Sequence, residues 1–147
     1  MDVFTRKKRS EIMSKIRSKN TKAELLVFRE LRKRKINFQK HYKKVAGSPD
    51  IALPRKKLAI FIDGSFWHGY KFKKRKEKLP KKYWVNKIET NMKRDVRDRK
   101  ILRKKGWKVL KVWEHEVIKS QQKIIGKIID FINKKYIENL QSGVIHK

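Results

Sequence analysis

The chain has 147 residues and a formal net charge of +30, because 44 lysines and arginines far outnumber 14 aspartates and glutamates. Its size and its 38% apolar residues suit one domain with a modest core. The absence of cysteine excludes disulfides and thiolate zinc sites. The sequence has no signal-peptide core and no apolar run long enough to span a membrane, which predicts a cytoplasmic protein. The excess of positive charge favours a nucleic-acid partner, and with it a protein associated with the nucleoid. The alternative explanation, adaptation to a hot habitat, would raise the glutamate content together with the lysine content.

Two helices are predicted in the N-terminal part. Residues 10–16 carry Ile12, Met13 and Ile16 at helical spacing, which predicts a short basic helix. The sequence TKAE at 21–24 is a capping box, so a second helix should begin after Thr21 and end at the basic run 32–35.

Three strands should follow. Residues 38–45 alternate between apolar and polar, and 50–53 form a short apolar strand after the turn GSP at 47–49. After a second turn at 54–56, residues 58–63 are almost all apolar, which is typical of a strand buried on both faces. The stretch 64–80 is predicted to be a long basic loop.

The C-terminal half predicts a long helix over 82–104 that ends before Gly106, with Ile88, Met92, Val96 and Leu102 on its apolar face. A strand over 107–113 and a last helix with apolar residues between 117 and 132 should follow. The tail, residues 137–147, is polar and is predicted to fray. This order of elements predicts a single α/β domain in which a mixed sheet carries helices on both faces.

Two aspartates stand at strand ends. If the strands on either side of the Pro54 turn pair as an antiparallel hairpin, Asp50 at the start of one lies beside Asp63 at the end of the other. Two carboxylates at one end of a sheet make a hard-oxygen site suited to Mg²⁺. The alternative is that each aspartate merely caps a turn.

Three further residues are weaker candidates. Glu24 is explained by the capping box alone. Asp95 follows Asn91 by four residues on the long helix, and both could simply lie on a solvated face. His68 follows two aromatics in the basic loop; an imidazole there could deprotonate a water, although a lone histidine is more often structural or exposed.

Aromatic and basic side chains alternate in the same loop. Phe66, Trp67 and Trp84 flank a run of cations, which fits a surface that grips phosphates and wedges into a base stack. The alternative is that the tryptophans pack the loop onto the sheet. The cations are Lys71, Lys73, Lys74, Arg75 and Lys76.

Five blocks in order resemble the very short patch repair endonucleases: MSKIRSKNTKAE at 13–24, GSPD at 47–50, IFIDGSFWH at 60–68, Trp84 through Asn91 to Asp95, and GWKVLKVWE at 106–114. The likeness extends to about Glu116. It implies a restriction-endonuclease-like fold and Mg²⁺-dependent, strand-specific nicking 5′ of the thymine in a T·G mismatch in duplex DNA.

The resemblance also implies roles. Asp50 and the Ile62 main-chain carbonyl would hold one or two Mg²⁺ ions, with Asp63 as a further carboxylate, and His68 would activate water. Asp95 and Glu24 match acids that assist the site, and Phe66, Trp67 and Trp84 match aromatics that wedge beside the mismatch. The N-terminal segment 1–20, with Lys15, Arg17 and Lys19, would reach across the DNA.

Two departures from the family pattern are visible. Many members hold a structural zinc ion with His and Cys after the Phe-Trp-His block and a later Cys; here Gly69, Tyr70, Phe72 and His115 stand in those regions, so we expect no zinc. One branch has histidine where this chain has Asp63, which could add a metal carboxylate or orient His68.

Two rival functions remain at this stage. A homing- or restriction-type nuclease would use the same residues without mismatch specificity, although a lone catalytic domain argues against long-site recognition. A non-catalytic basic nucleic-acid-binding protein explains the charge but gives the acids no reason to converge. A membrane-surface protein is weaker still, because the strands and aromatics require a globular core. We expect a monomer.

Overall fold

A computed structural model describes residues 20–64 and 82–141, with side chains described for 20–64 and 85–134. The basic helix predicted at 10–16 and nearly all of the loop 64–80 lie outside these ranges. Within the described ranges, no helix is long and apolar enough to cross a membrane.

The first described helix, α1, is Lys22–Lys33, and the predicted capping box is confirmed at its start. The Thr21 hydroxyl accepts the Glu24 amide N–H at 3.2 Å, and the Glu24 carboxylate accepts the Thr21 N–H at 3.2 Å. One side of α1 is buried through Val27, Phe28 and Leu31. The cap therefore places the Glu24 side chain at the point where α1 meets the rest of the fold.

Four strands form one mixed sheet in the order β1-β2-β3-β4. β1–β2 and β2–β3 are antiparallel, which confirms the hairpin predicted through the Pro54 turn, and β3–β4 is parallel. β1 is much shorter than the predicted strand, because His41 has a φ of 46°, outside the extended region. The strands are β1 (Gln39–Lys40), β2 (Ile51–Leu53), β3 (Leu58–Asp63) and β4 (Lys108–Trp113).

Three more helices complete the described fold: α2 (Lys82–Lys104), α3 (Glu114–Lys119) and α4 (Gln121–Gln141). α2 has the predicted bounds, and Gly106 behind it has a φ of 88°, which suits glycine at a helix end. The single C-terminal helix of the prediction is two helices, since Ser120 separates α3 from α4. α4 continues to Gln141, so the first part of the predicted tail is helical.

Apolar residues on the two faces of the sheet form two clusters. The larger one joins Ile51, Ile60 and Val112 of the sheet to Phe28 of α1 and Ile128 of α4. The smaller one joins Ala52, Ala59 and Phe61 to Leu102 of α2 and to Trp107. Helices therefore cover both faces, as predicted, and this α/β architecture is compatible with a restriction-endonuclease-like fold.

The inward face of α2 is more polar than predicted. Val96, expected on the apolar face, is 69% exposed, whereas Ile88, Asn91 and Leu102 are buried. At 100° per residue, Asp95 falls at the centre of the face that these three define, and Val96 lies to one side. The helix therefore turns a line of polar residues toward the sheet.

Candidate active site

Asp50 stands where the hairpin ladder between β2 and β3 stops. Ile51 pairs with Ile60, so the same register would set Pro49 opposite Ile62. Proline has no N–H and cannot continue the ladder. The Asp50 carboxylate takes over instead, accepting the Ile62 N–H at 2.7 Å.

The Ile62 carbonyl lies on the same side of its strand. In extended backbone, the N–H and C=O of one residue point the same way, so this carbonyl also faces the β2 side, toward Asp50. Pro49 cannot donate to it. The sequence Pro49-Asp50 thus leaves a carboxylate and a main-chain carbonyl directed to one place, the pair that the resemblance implied for a metal ion.

His41 stands directly across from Asp50. The pairing of Lys40 with Ile51 continues by one residue beyond β1, where the His41 N–H donates to the Asp50 carbonyl at 2.9 Å. The ring nitrogens lie near both acids: Nδ1 is 4.0 Å from the Asp50 carboxylate and Nε2 is 3.9 Å from Glu24.

Glu24 enters the site from α1. Its side chain is only 2% exposed, so it is buried with Asp50 between the helix and the end of the sheet. Among the described residues, Glu24, His41 and Asp50 each offer a ligand atom, and these atoms all lie within 4.8 Å of one another. We call these three residues the edge cluster.

Burial and the neighbouring Glu24 disfavour the charged form of Asp50. Burial, followed by the hydrogen bond and charge of Glu24, raises the pKa of Asp50 to about 9, and the Ile62 N–H opposes this only in part. The carboxylate remains 19% exposed, so water or an ion can reach it. A cation would relieve the repulsion and favour the ionised acids.

The donor set of the edge cluster fits a divalent ion. It combines two carboxylates with an imidazole, and hard cations take carboxylate oxygens. The distances of 3.9 and 4.0 Å from the imidazole to the acids are too long for hydrogen bonds and leave space between the groups. The edge cluster could therefore hold a metal ion.

Asp63, at the same end of the sheet, is paired with an arginine of α2. Both of its carboxylate oxygens accept from Arg99 Nη2, each at 2.8 Å, and the side chains of Asp63 and Arg99 are only 4% and 12% exposed. That Asp63 is a metal carboxylate stays a prediction; in the described structure the α2 guanidinium holds both of its oxygens, and its side chain is not in the edge cluster. Its charge still contributes to the raised pKa of Asp50, which agrees with the predicted proximity of the two aspartates.

The Asp63–Arg99 pair ties α2 to the end of β3. Arg99 also lies over the Phe61 ring, with its guanidinium carbon 4.3 Å from the ring centroid. The turn that precedes Asp50 also approaches Phe61: a Cβ on Gly47 would come within 3.2 Å of Phe61 and of Asp98 Cβ, and the Gly47 φ is 79°. A side chain at this position would be strained by the left-handed φ and by the close approach, so glycine suits the turn that leads to Asp50.

The remaining predicted site residues are not brought together by the described structure. Asp95 is half-buried on the inward face of α2 and is not part of the edge cluster. Trp84 belongs to α2, but its side chain is outside the described ranges. Also outside are His68, Phe66, Trp67, Lys15, Arg17, Lys19, Lys71, Lys73, Lys74 and Arg75.

Sequence reasoning missed His41 and Arg99. His41 could have been found from the turn at Gly47-Ser48-Pro49, because a chain that reverses there brings a residue of the preceding predicted strand opposite Asp50, and His41 is the histidine in that strand. Arg99 could have been found because it follows Asp95 by four residues and therefore lies on the same helix face as Asn91 and Asp95.

Comparison with known proteins shows which family this chain belongs to. The sequence model of the family described as DNA mismatch endonuclease Vsr matches residues 1–74. The type II nicking enzyme V.NmeAIP of Neisseria meningitidis serogroup A is 41% identical over 119 residues, which are 79% of this chain and 84% of that protein. The type II nicking enzyme V.HpaIIP of Haemophilus parainfluenzae is 37% identical over 126 residues, 84% of this chain and 89% of that protein. The DNA mismatch endonuclease Vsr of Escherichia coli is 33% identical over 116 residues, 77% of this chain and 73% of that protein. The chain therefore belongs to the Vsr family and is a DNA endonuclease, a hydrolase of phosphodiester bonds.

Proposed function

We propose that this endonuclease nicks one strand of duplex DNA on the 5′ side of the thymine in a T·G mismatch, with Mg²⁺ as its ion, and that it acts as a monomer in DNA repair at the nucleoid. The observation that carries the proposal is the edge cluster at the end of the sheet in a member of the Vsr family. A single-strand cut is also favoured by the relatives, because several are type II nicking enzymes.

The described residues would hold the ion and the scissile phosphate at the sheet end. Asp50, the Ile62 carbonyl and Glu24 are the oxygen donors that converge there. A bound Mg²⁺ would polarise the phosphate and stabilise charge on the leaving oxygen. The Asp63–Arg99 pair and the Gly47 turn keep the end of β3 and Asp50 in register, so the donors are in place before DNA binds.

The proton of the attacking water is assigned to His68, since an imidazole can accept a proton from water at neutral pH. Asp95, on the inward face of α2, would orient that imidazole. We prefer Asp95 to Asp63 for this role, since Arg99 holds both Asp63 oxygens. His68 follows Gly64 by four residues, and Gly64 directly follows the last residue of β3, so the chain length allows it to approach the edge cluster.

Mismatch selectivity would come from the aromatics Phe66, Trp67 and Trp84. A mispaired base is easier to unstack than a paired one, so insertion of an aromatic side chain beside it favours the mismatch by a few kcal/mol at most. The cations of the loop and of the N-terminal segment would contact phosphates, which position the duplex without sequence information.

The test is a nicking assay on two duplexes that differ in one base. One carries a T·G mismatch and the other a T·A pair, each strand is labelled at its 5′ end in turn, and each reaction contains either Mg²⁺ or EDTA. We expect a single Mg²⁺-dependent nick on the 5′ side of the mispaired thymine and no cut in the opposite strand. Trp67→Ala should reduce this preference for the mismatch more than it reduces DNA affinity.

Other outcomes assign the chain elsewhere. Equal cutting of both duplexes would refute mismatch specificity and favour a nuclease of restriction or homing type. Cuts in both strands would refute nicking. Metal-independent binding without any cut would contradict the proposed chemistry altogether.

A further inference from the structure

We propose that His41 is a nitrogen ligand of the ion at the edge cluster, and that the site consequently binds Mn²⁺ more tightly than Mg²⁺. This inference rests on the proposed function, in which Asp50 and its neighbours hold the catalytic ion. It adds to that proposal a residue outside the pattern of oxygen donors and a different preferred ion.

The spacing of the three side chains supports coordination rather than hydrogen bonding. Nε2 of His41 is 3.9 Å from Glu24 and Nδ1 is 4.0 Å from Asp50, and one ligand atom from each of the three residues lies within 4.8 Å of the other two. Three atoms no more than 4.8 Å apart lie within about 2.8 Å of a common point, which a small inward movement brings to metal–ligand distance. A hydrogen bond between His41 and either acid would need an approach of nearly 1 Å.

The second ring nitrogen of His41 has a partner of the kind that metal-binding histidines use. Nε2 lies 3.4 Å from the Asn20 side-chain oxygen, which can accept from it in the tautomer that carries the proton on Nε2. The lone pair is then on Nδ1, the nitrogen nearer to Asp50. Ligating histidines typically donate their other N–H to an oxygen in this manner, which fixes the tautomer and the ring orientation.

The ring is also held before any ion binds. Phe28 contacts it edge to face, with centroids 5.8 Å apart. The backbone N–H of His41 is bonded to Asp50, and the left-handed φ of 46° turns the chain away from β1 at this residue.

Nitrogen in the donor set changes which ion is preferred. Mg²⁺ prefers oxygen ligands and gives up its waters reluctantly, whereas imidazole suits first-row transition ions. Mn²⁺ accepts both carboxylate oxygen and imidazole nitrogen as ligands, so all three residues of the edge cluster can bind it. Mg²⁺ prefers the two carboxylates and would make less use of the imidazole.

The experiment measures Mn²⁺ binding directly on the full-length protein. The loss of the free Mn²⁺ signal in electron paramagnetic resonance gives the affinity, displacement by Mg²⁺ gives the preference, and electron spin-echo modulation reports a directly bound nitrogen. The variant is His41→Asn, because asparagine tolerates a left-handed φ. His68→Asn is the matched control, since His68 is proposed to act on water and not on the ion.

We expect nitrogen modulation in the wild type and in His68→Asn, and its loss in His41→Asn together with at least a roughly tenfold weaker Mn²⁺ affinity. Absence of modulation in the wild type, or its persistence in His41→Asn, would overturn the inference. If His41→Asn does not fold, the wild-type and His68→Asn spectra still decide. Unchanged Mn²⁺ affinity in Asp50→Asn would instead refute the metal site of the proposed function.

Discussion

Replacement of Asp50 by asparagine should make the protein more stable in the absence of divalent ions, although it should abolish nicking. Asparagine keeps the shape of the side chain, its amide oxygen can accept the Ile62 N–H that Asp50 accepts at 2.7 Å, and its NH₂ group can donate to Glu24. The variant therefore removes a buried charge without removing its contacts. Destabilising groups of this kind are expected where a site is built to bind an ion.

The size of the effect follows from the pKa of Asp50, which burial and then Glu24 raise from 3.8 to about 9. Because the pKa of Asp50 is higher in the folded than in the unfolded state, ionisation of Asp50 lowers the free energy of unfolding: no stability is lost below about pH 4, and the loss grows as pH rises toward 9. At roughly 1.4 kcal/mol per pH unit above the unfolded pKa of 3.8, the loss at pH 7 is about 4 kcal/mol as an upper limit. Rearrangement around the partly exposed carboxylate reduces this, and we expect about 1–3 kcal/mol.

The assay is urea unfolding in EDTA at pH 5, 7 and 9. The stability advantage of Asp50→Asn over the wild type should grow from pH 5 to pH 9. Asp130→Asn makes the same change of charge at an exposed position on α4 and should stay within about 0.5 kcal/mol of the wild type. A destabilised Asp50→Asn variant, or an advantage that does not change with pH, would refute the reasoning.

Three further substitutions test the frame around the edge cluster. Arg99→Ala removes the arginine that lies 2.8 Å from the buried Asp63 carboxylate and should lower the free energy of unfolding in urea by about 3–5 kcal/mol. Arg99→Ala combined with Asp63→Asn should recover part of that loss, and equal losses in both variants would contradict the ion-pair account. Gly47→Ala forces a Cβ into a left-handed φ and against Phe61, so we expect about 1–3 kcal/mol of destabilisation and slower nicking, and an unchanged melting temperature would show that the turn tolerates the contact. Thr21→Ala removes the cap hydroxyl and should cost about 1 kcal/mol in stability, with a larger proportional loss of nicking if the cap also positions Glu24.

The hairpin and its flanking helices were predictable because local rules determine them. The turn at Pro54, the apolar run of β3 and the capping box at Thr21 each act over a few residues, and the structure confirms all three. The convergence of Asp50 and Asp63 at one sheet end followed from the hairpin alone.

The partners of those acids were not predictable in the same way. Whether Asp63 faces an ion or a guanidinium depends on the rotation of α2, which tertiary packing sets. The apolar pattern placed Ile88 and Leu102 correctly in the buried face but not Val96, which is exposed. The predicted strand over residues 38–45 was too long because the left-handed His41 ends β1, and no alternation of side chains signals a φ of 46°.

The most direct test of the account is nicking of a T·G duplex by the wild type, Asp50→Asn and Asp130→Asn in parallel, with DNA binding measured on the same samples. The account predicts that Asp50→Asn loses cleavage by a factor of at least about 10³ and still binds the duplex, while Asp130→Asn cuts like the wild type. Cleavage by a folded Asp50→Asn variant at the wild-type rate would place the chemistry outside the edge cluster.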